Sequence, residues 1–152
     1  MQKISKFLMV LLISLCMSLS GYTQILEFLS GDSYNMEDLI QEGDMVVLFW
    51  TTWCPYCAKE LKRLDLECGN LNFKLLAVNL REDKNKVLKF IESAGLSDCL
   101  KGKIAIDSLG SAGTNYGIVG LPTYVFLHNG AIIKRTNFLD IDEVTRIFNK
   151  GK

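Results

Sequence analysis

Residues 48–61 read LFWTTWCPYCAKEL, two cysteines three positions apart at the end of an apolar run. The run itself, Met45 to Trp50, is continuous and rich in valine and aromatic residues, the mark of a central strand covered on both faces. Beyond it the period changes. Cys57, Leu61, Leu64 and Cys68 recur at helical spacing and share one face, while Lys59, Lys62 and Arg63 lie elsewhere on the wheel. A strand therefore runs into a helix, with Cys54 at the junction. Pro55 falls early in that helix, where its missing N–H costs little.

The junction decides the chemistry expected of the two thiols. At a helix N-terminus, Cys54 faces unpaired N–H groups and the positive end of the helix dipole, both of which stabilise its thiolate. It is the expected nucleophile, and Cys57, one turn on, is the expected resolving thiol. Three uses of such a pair compete: a redox couple, half of a zinc site and a structural bridge. A four-ligand zinc site needs two further ligands, yet the single histidine, His128, falls at an expected hairpin, and Cys68 and Cys99 are not spaced as a second pair. The strand-then-helix context favours the redox couple, with no metal and no cofactor.

The chain has 152 residues, 49% of them hydrophobic, with 17 basic and 17 acidic side chains. This suits one domain and provides no net field to attract polyanions, so nucleic acid is not an expected partner. Lys3 and Lys6 precede an apolar stretch from Phe7 to Leu19, with Ser18, Ser20 and Gly21 at its end as small residues around a cut. That is the order of a secretory signal over residues 1–20, leaving a domain of residues 21–152. An uncleaved anchor facing away from the cytoplasm is the alternative, disfavoured because a bilayer needs about 20 apolar residues. Cys16 follows Leu15, too large for a lipidation site, and reads as filler in the signal. A mature domain of about 130 residues needs no disulfide staples to form a core.

Along the rest of the chain, Ile25–Leu29 and Ser33–Met36 read as a short hairpin, and Glu37–Gln41 as a helical turn. Phe73–Leu80 reads as a second buried strand and Lys84–Ala94 as a helix ended by Gly95. Ile104–Asp107 lies in a looser stretch, with a short helix reaching Tyr116. Thr123–Leu127 and Ala131–Arg135 flank Asn129-Gly130, a strong tight-hairpin signal. Asp140 or Asp142 then caps a last helix ending near Lys150. Right-handed crossovers make the first two main strands parallel, giving an α/β layered sheet.

Phe49-Trp50-Thr51-Thr52-Trp53-Cys54-Pro55-Tyr56-Cys57, followed by Gly120-Leu121-Pro122-Thr123, resembles the thioredoxin superfamily. More narrowly, the chain is similar to the exported TlpA/ResA-like thiol-disulfide oxidoreductases from about Leu26 onward. The resemblance implies a thioredoxin-like fold, a central mixed sheet flanked by helices on both faces, with an extra N-terminal hairpin. It implies a cis bond between Leu121 and Pro122, beside a dithiol where the Leu121 backbone pairs with an extended substrate. Trp53, Pro55, Tyr56, Leu121 and Pro122 become the substrate-facing residues, and Trp50 a core residue. Leu48 stands where thioredoxin has an aspartate, whereas Glu60 matches a glutamate often found three positions after the second cysteine in TlpA/ResA-like proteins. Cys-Pro-Tyr-Cys is also the glutaredoxin motif, but nothing after Pro122 resembles the Gly-Gly turn of that group.

The expected protein is an exported, periplasmic, monomeric reductant of selected disulfides. Cys54 attacks, Cys57 resolves, and Glu60, at the border of the core stripe about 60° from Cys57, exchanges the proton of Cys57. Its partners are a disulfide-bearing protein and a membrane electron donor. A thiol oxidant of the same fold and a copper(I)-binding module using the same cysteines are the alternatives. Cys68 sits on the apolar stripe as a small core residue, its bonding to Cys99 left open. His128 reads as a solvated turn residue, and Arg81–Lys86 as a solvated helix start.

Overall fold

A computed structural model describes residues 24–41 and 43–149; the expected signal over residues 1–20 lies outside them. The elements are β1 (Ile25–Phe28), β2 (Ser33–Asn35), α1 (Met36–Ile40), β3 (Asp44–Trp50), α2 (Pro55–Glu67), β4 (Lys74–Leu80) and α3 (Lys84–Ala94). They continue as α4 (Asp98–Lys101), β5 (Ile104–Asp107), α5 (Ser111–Asn115), β6 (Thr123–His128), β7 (Ala131–Thr136) and α6 (Ile141–Asn149). The seven strands form one sheet in the order β2-β1-β5-β4-β3-β6-β7. The central strands β3, β4 and β5 are parallel, while β6, β7 and the β1–β2 hairpin are antiparallel to their neighbours. The expected mixed sheet with an added N-terminal hairpin is what forms.

The β3-to-β4 and β4-to-β5 crossovers advance in the same direction across the sheet. Right-handed crossing therefore carries α2 and α3 over the same face. Val46, Leu48 and Trp50 of β3 point to that face and pack with Leu61 and Leu64 of α2, Val87 and Ile91 of α3, and Val144 and Phe148 of α6. The intervening Met45, Val47 and Phe49 point the other way, against Met36 and Ile40 of α1 and Ala112 of α5. The period-2 alternation of one apolar strand thus supplies two cores, which is why Met45–Trp50 has no polar side.

Local signals fix the ends. The Asp83 carboxylate caps α3 by accepting the Lys86 N–H, and Gly95, at φ 66°, closes it in the left-handed conformation. Asn129 and Gly130 take φ 48° and 78° between β6 and β7, the backbone a two-residue hairpin turn requires. Asp140 caps α6, accepting the N–H groups of Asp142 and Glu143. His128, expected to be solvated in the turn, instead ends β6 with Nδ1 2.7 Å from Asp44 Oδ1, because strand pairing sets the two residues opposite each other.

Candidate active site

Cys54 leaves the C-terminal end of β3 and is the N-cap of α2, with extended backbone at φ −88° and ψ 109°. Its Sγ accepts the Cys57 N–H at 3.2 Å, and Pro55 occupies the first helical turn. The N-cap role usually played by a side-chain oxygen is here taken by sulfur. Cys54 and Cys57 form a disulfide with Cα atoms 5.2 Å apart. Cys57 is fully buried and Cys54 is 4% exposed, more covered than a helix-start position suggests, since the bonded sulfur is drawn in against the first turn. The aromatic neighbours are the exposed part: Trp53 at 68% and Tyr56 at 70%. Trp50, by contrast, is buried against Phe90, with ring centroids 5.5 Å apart.

The Leu121–Pro122 peptide bond is cis. Leu121 lines the same groove as Trp53, Cys54, Pro55 and Tyr56, and a second hollow beside it joins Tyr56 and Glu60 to Leu121 and Pro122. All eight residues singled out from the sequence therefore cluster around the start of α2, with Cys57 beneath. Leu48 is a buried core residue, so no acid occupies that place under the dithiol.

Glu60 is one turn below Cys57 and its side chain is 14% exposed. Its Oε2 accepts the Tyr124 hydroxyl at 2.5 Å and Arg63 Nη2 at 2.7 Å. Tyr124 is fully buried on β6. Burial, and next the adjacent Glu60 carboxylate, push its hydroxyl far above the usual tyrosine range, so it stays protonated and keeps donating to Glu60. Arg63, which the helical wheel turns away from the core, bends back to Glu60 and lies over the Phe138 ring at 5.5 Å. Glu60 is thus a fixed carboxylate inside the protein edge and not a solvated one.

Glu82 corrects the expectation of a solvated Arg81–Lys86 run. It is 7% exposed and receives the Thr52 N–H and the Thr52 hydroxyl, each at 2.7 Å. Asn79 Nδ2 at 2.8 Å and Lys86 Nζ at 2.6 Å complete its shell. Burial alone would raise its pKa, but these four donors outweigh it and hold the carboxyl below the usual carboxylate range. Glu82 fastens the segment leading into Cys54 to the end of β4. The sequence held one signal of it: Asn79 interrupts the apolar run of β4 one residue before its end and needs a polar partner, which Glu82 supplies three positions on.

At the other end of α2, Cys68 is the C-cap and is bonded to Cys99 of α4, with Cα atoms 6.1 Å apart. The Asp65 carboxylate reinforces this junction, accepting the Ser97 N–H at 3.0 Å and the Ser97 hydroxyl at 2.5 Å. Among the described residues, no three histidine, cysteine or acidic side chains gather in a way that could hold a metal ion.

A dithiol at the N-cap of a helix, bordered by a cis-proline segment on a mixed sheet, defines the thioredoxin-like class. The chain belongs to the Redoxin family, whose model matches residues 26–147. It is 23% identical to the thiol:disulfide interchange protein DsbE of Escherichia coli over 112 residues, 74% of this chain and 58% of that protein. It is 30% identical to the thiol-disulfide oxidoreductase ResA of Geobacillus thermodenitrificans over 114 residues, 73% of this chain and 63% of that one. The chain thus spans less than two thirds of the length of either relative. The fold is shared with a secreted Mycobacterium tuberculosis disulfide oxidoreductase homologous to DsbE, at a TM-score of 0.65 and 21% identity, covering 83% of this chain and 94% of that one.

Proposed function

We propose that the protein is an exported thiol-disulfide oxidoreductase that reduces selected protein disulfides outside the cytoplasm. The observation that carries this is the placement of Cys54: N-cap of α2, sulfur facing the Cys57 N–H, beside a groove bordered by Trp53, Tyr56 and Leu121. In the reduced protein the Cys54 thiolate attacks one sulfur of a substrate disulfide. A Cys54–substrate disulfide forms and the other substrate sulfur leaves as a thiolate. Cys57 gives its proton to Glu60 and attacks Cys54 Sγ, which releases the second substrate thiol and leaves the Cys54–Cys57 disulfide. Glu60 then passes the proton to the outgoing thiolate.

Trp53, Pro55, Tyr56, Leu121 and Pro122 border the approach, and the backbone of Leu121 is placed to pair with an extended segment of the substrate. Two electrons must be restored from outside the molecule, for which a membrane donor is the natural source once residues 1–20 have directed export. The relatives named for disulfide interchange support the same reading. The test is to express the full chain as Cys57→Ser in a bacterium and isolate it without reductant. Mixed disulfides between Cys54 and exported proteins are expected; their absence, with Cys54 remaining a free thiol, would overturn the proposal.

A further inference from the structure

The groove beside Cys54 has a volume of about 650 Å³. Its far wall is made by Leu80 at the end of β4 and Arg81 just after it, the start of α5, and the approach to β6 through Ile118 and Val119. Among the residues that line it, Arg81 alone carries a charge. Its position is set by the backbone. Arg81 takes the left-handed conformation at φ 58°, unusual for a residue with a side chain, and its N–H is tied to the Asp107 carbonyl at 2.9 Å. The side-chain stem lies on Gly110, which is itself left-handed at φ 73°. A Cβ at Gly110 would collide with Arg81 Nε and stand 2.7 Å from its Cγ. Glycine is what lets the arginine lie flat in the groove.

The neighbouring carboxylates do not neutralise this cation. Glu82 is committed to Thr52, Asn79 and Lys86, and Asp83 accepts the Lys86 N–H. Asp107 accepts from the N–H groups of Ser111, Ala112 and Gly113 at the start of α5. No carboxylate among the described residues lies within ion-pair distance of the Arg81 guanidinium. An otherwise uncharged groove, with Trp53, Tyr56 and Val119 exposed around it, therefore presents one guanidinium fork, unpaired among the described residues, across the groove from Cys54.

We propose that Arg81 is a specificity-determining residue: it pairs with a carboxylate on the segment of substrate protein that carries the attacked disulfide. The favoured substrate has an acidic residue within a few positions of its cysteine and apolar residues beside it. The guanidinium offers two parallel N–H donors that match a carboxylate. This rests on the oxidoreductase reading and adds to it the chemistry of the substrate.

The test uses three synthetic peptides closed by the same disulfide and differing at one flanking residue, Glu, Gln or Lys. The reduced full chain is mixed rapidly with each, and the second-order rate constant for reduction is measured. The wild type should prefer the Glu peptide over the Gln peptide by about fivefold, the scale of one partly exposed ion pair, with the Lys peptide slowest. The preference should shrink as salt is raised. Arg81→Gln should bring the Glu-to-Gln ratio to about one, and Arg81→Glu should invert the order so that the Lys peptide leads. An equal Glu-to-Gln ratio in wild type and Arg81→Gln would overturn the role of Arg81 while leaving the oxidoreductase reading intact. Failure of the wild type to reduce any of the peptides would remove both.

Discussion

The two ends of α2 each carry a disulfide, one closed within a single turn beside a groove and the other joining two helices. Cys54–Cys57 closes a loop of three positions within one helical turn, at the mouth of a groove rimmed by exposed aromatics. Cys68–Cys99 joins residues 31 positions apart, tying the C-cap of the same helix to α4 beside the Asp65–Ser97 contacts. The short loop restrains the unfolded chain less, by about 2 kcal/mol on the loop-closure relation. The long loop removes chain entropy worth about 3 to 4 kcal/mol by the loop-closure relation. On the proposed function, the short-span bond beside the groove is the reagent and the long-span bond is a staple that keeps the same helix in place.

The largest expected effect separates them outright. Cys54→Ser should lower disulfide turnover by about a thousandfold or more, with a smaller loss of stability than opening Cys68–Cys99 causes. The pair Cys68→Ser and Cys99→Ser should do the reverse, costing about 3 kcal/mol in denaturant melts while the dithiol still turns over. A double variant that melts like the wild type would remove the staple role.

Glu82 offers the next test, because it fixes the segment entering the reactive end. Glu82→Gln should destabilise by about 1 to 2 kcal/mol, since it loses the Lys86 pair and sets an amide donor against Thr52 and Asn79. It should also change the pH profile. The folded carboxyl titrates below the unfolded one, so its stabilisation is fully present above the unfolded value, near pH 4.3, and disappears as pH falls through the lower folded value. Urea melts from pH 6 down to pH 3 should show that decline in the wild type and a flatter curve in Glu82→Gln.

A smaller effect is expected at Glu60. Glu60→Gln should slow resolution of the mixed disulfide several-fold and leave the first attack by Cys54 nearly unchanged, as read by rapid mixing with a model disulfide at several pH values. Equal resolution rates in the two proteins would make the carboxylate a packing partner of Tyr124 and Arg63.

The reactive end was legible in the sequence because its signals are local. The unbroken apolar run before Cys54, the helical period through Leu61 and Leu64, Gly95 and Asn129-Gly130 each declare their conformation within a few residues. The staple end was not. Cys68 shares the apolar stripe that makes it look like core, and its bond depends on α4, a four-residue helix with no periodic pattern to announce it. Tyr124 reads as one more apolar strand residue, and only the β3–β6 pairing brings it to Glu60, 64 positions away. Glu82 is hidden for the opposite reason: a carboxylate in a run of charges looks solvated until the end of β4 folds over Thr52. The pairing of β1 with β5 is another long-range contact that no local pattern records.

The central claim is that α2 carries one exchangeable and one inert disulfide, and a redox titration tests it most directly. The protein is equilibrated in thiol-disulfide buffers of graded potential, quenched by alkylation, and the state of each of the four cysteines is read by peptide mass. With Pro55 directly after Cys54, the Cys54–Cys57 couple should titrate above the thioredoxin value of about −270 mV and below the strong oxidants at about −120 mV, while Cys68–Cys99 remains bonded across that range. Reduction of Cys68–Cys99 ahead of Cys54–Cys57, or a Cys54–Cys57 bond that does not open in that window, would contradict it.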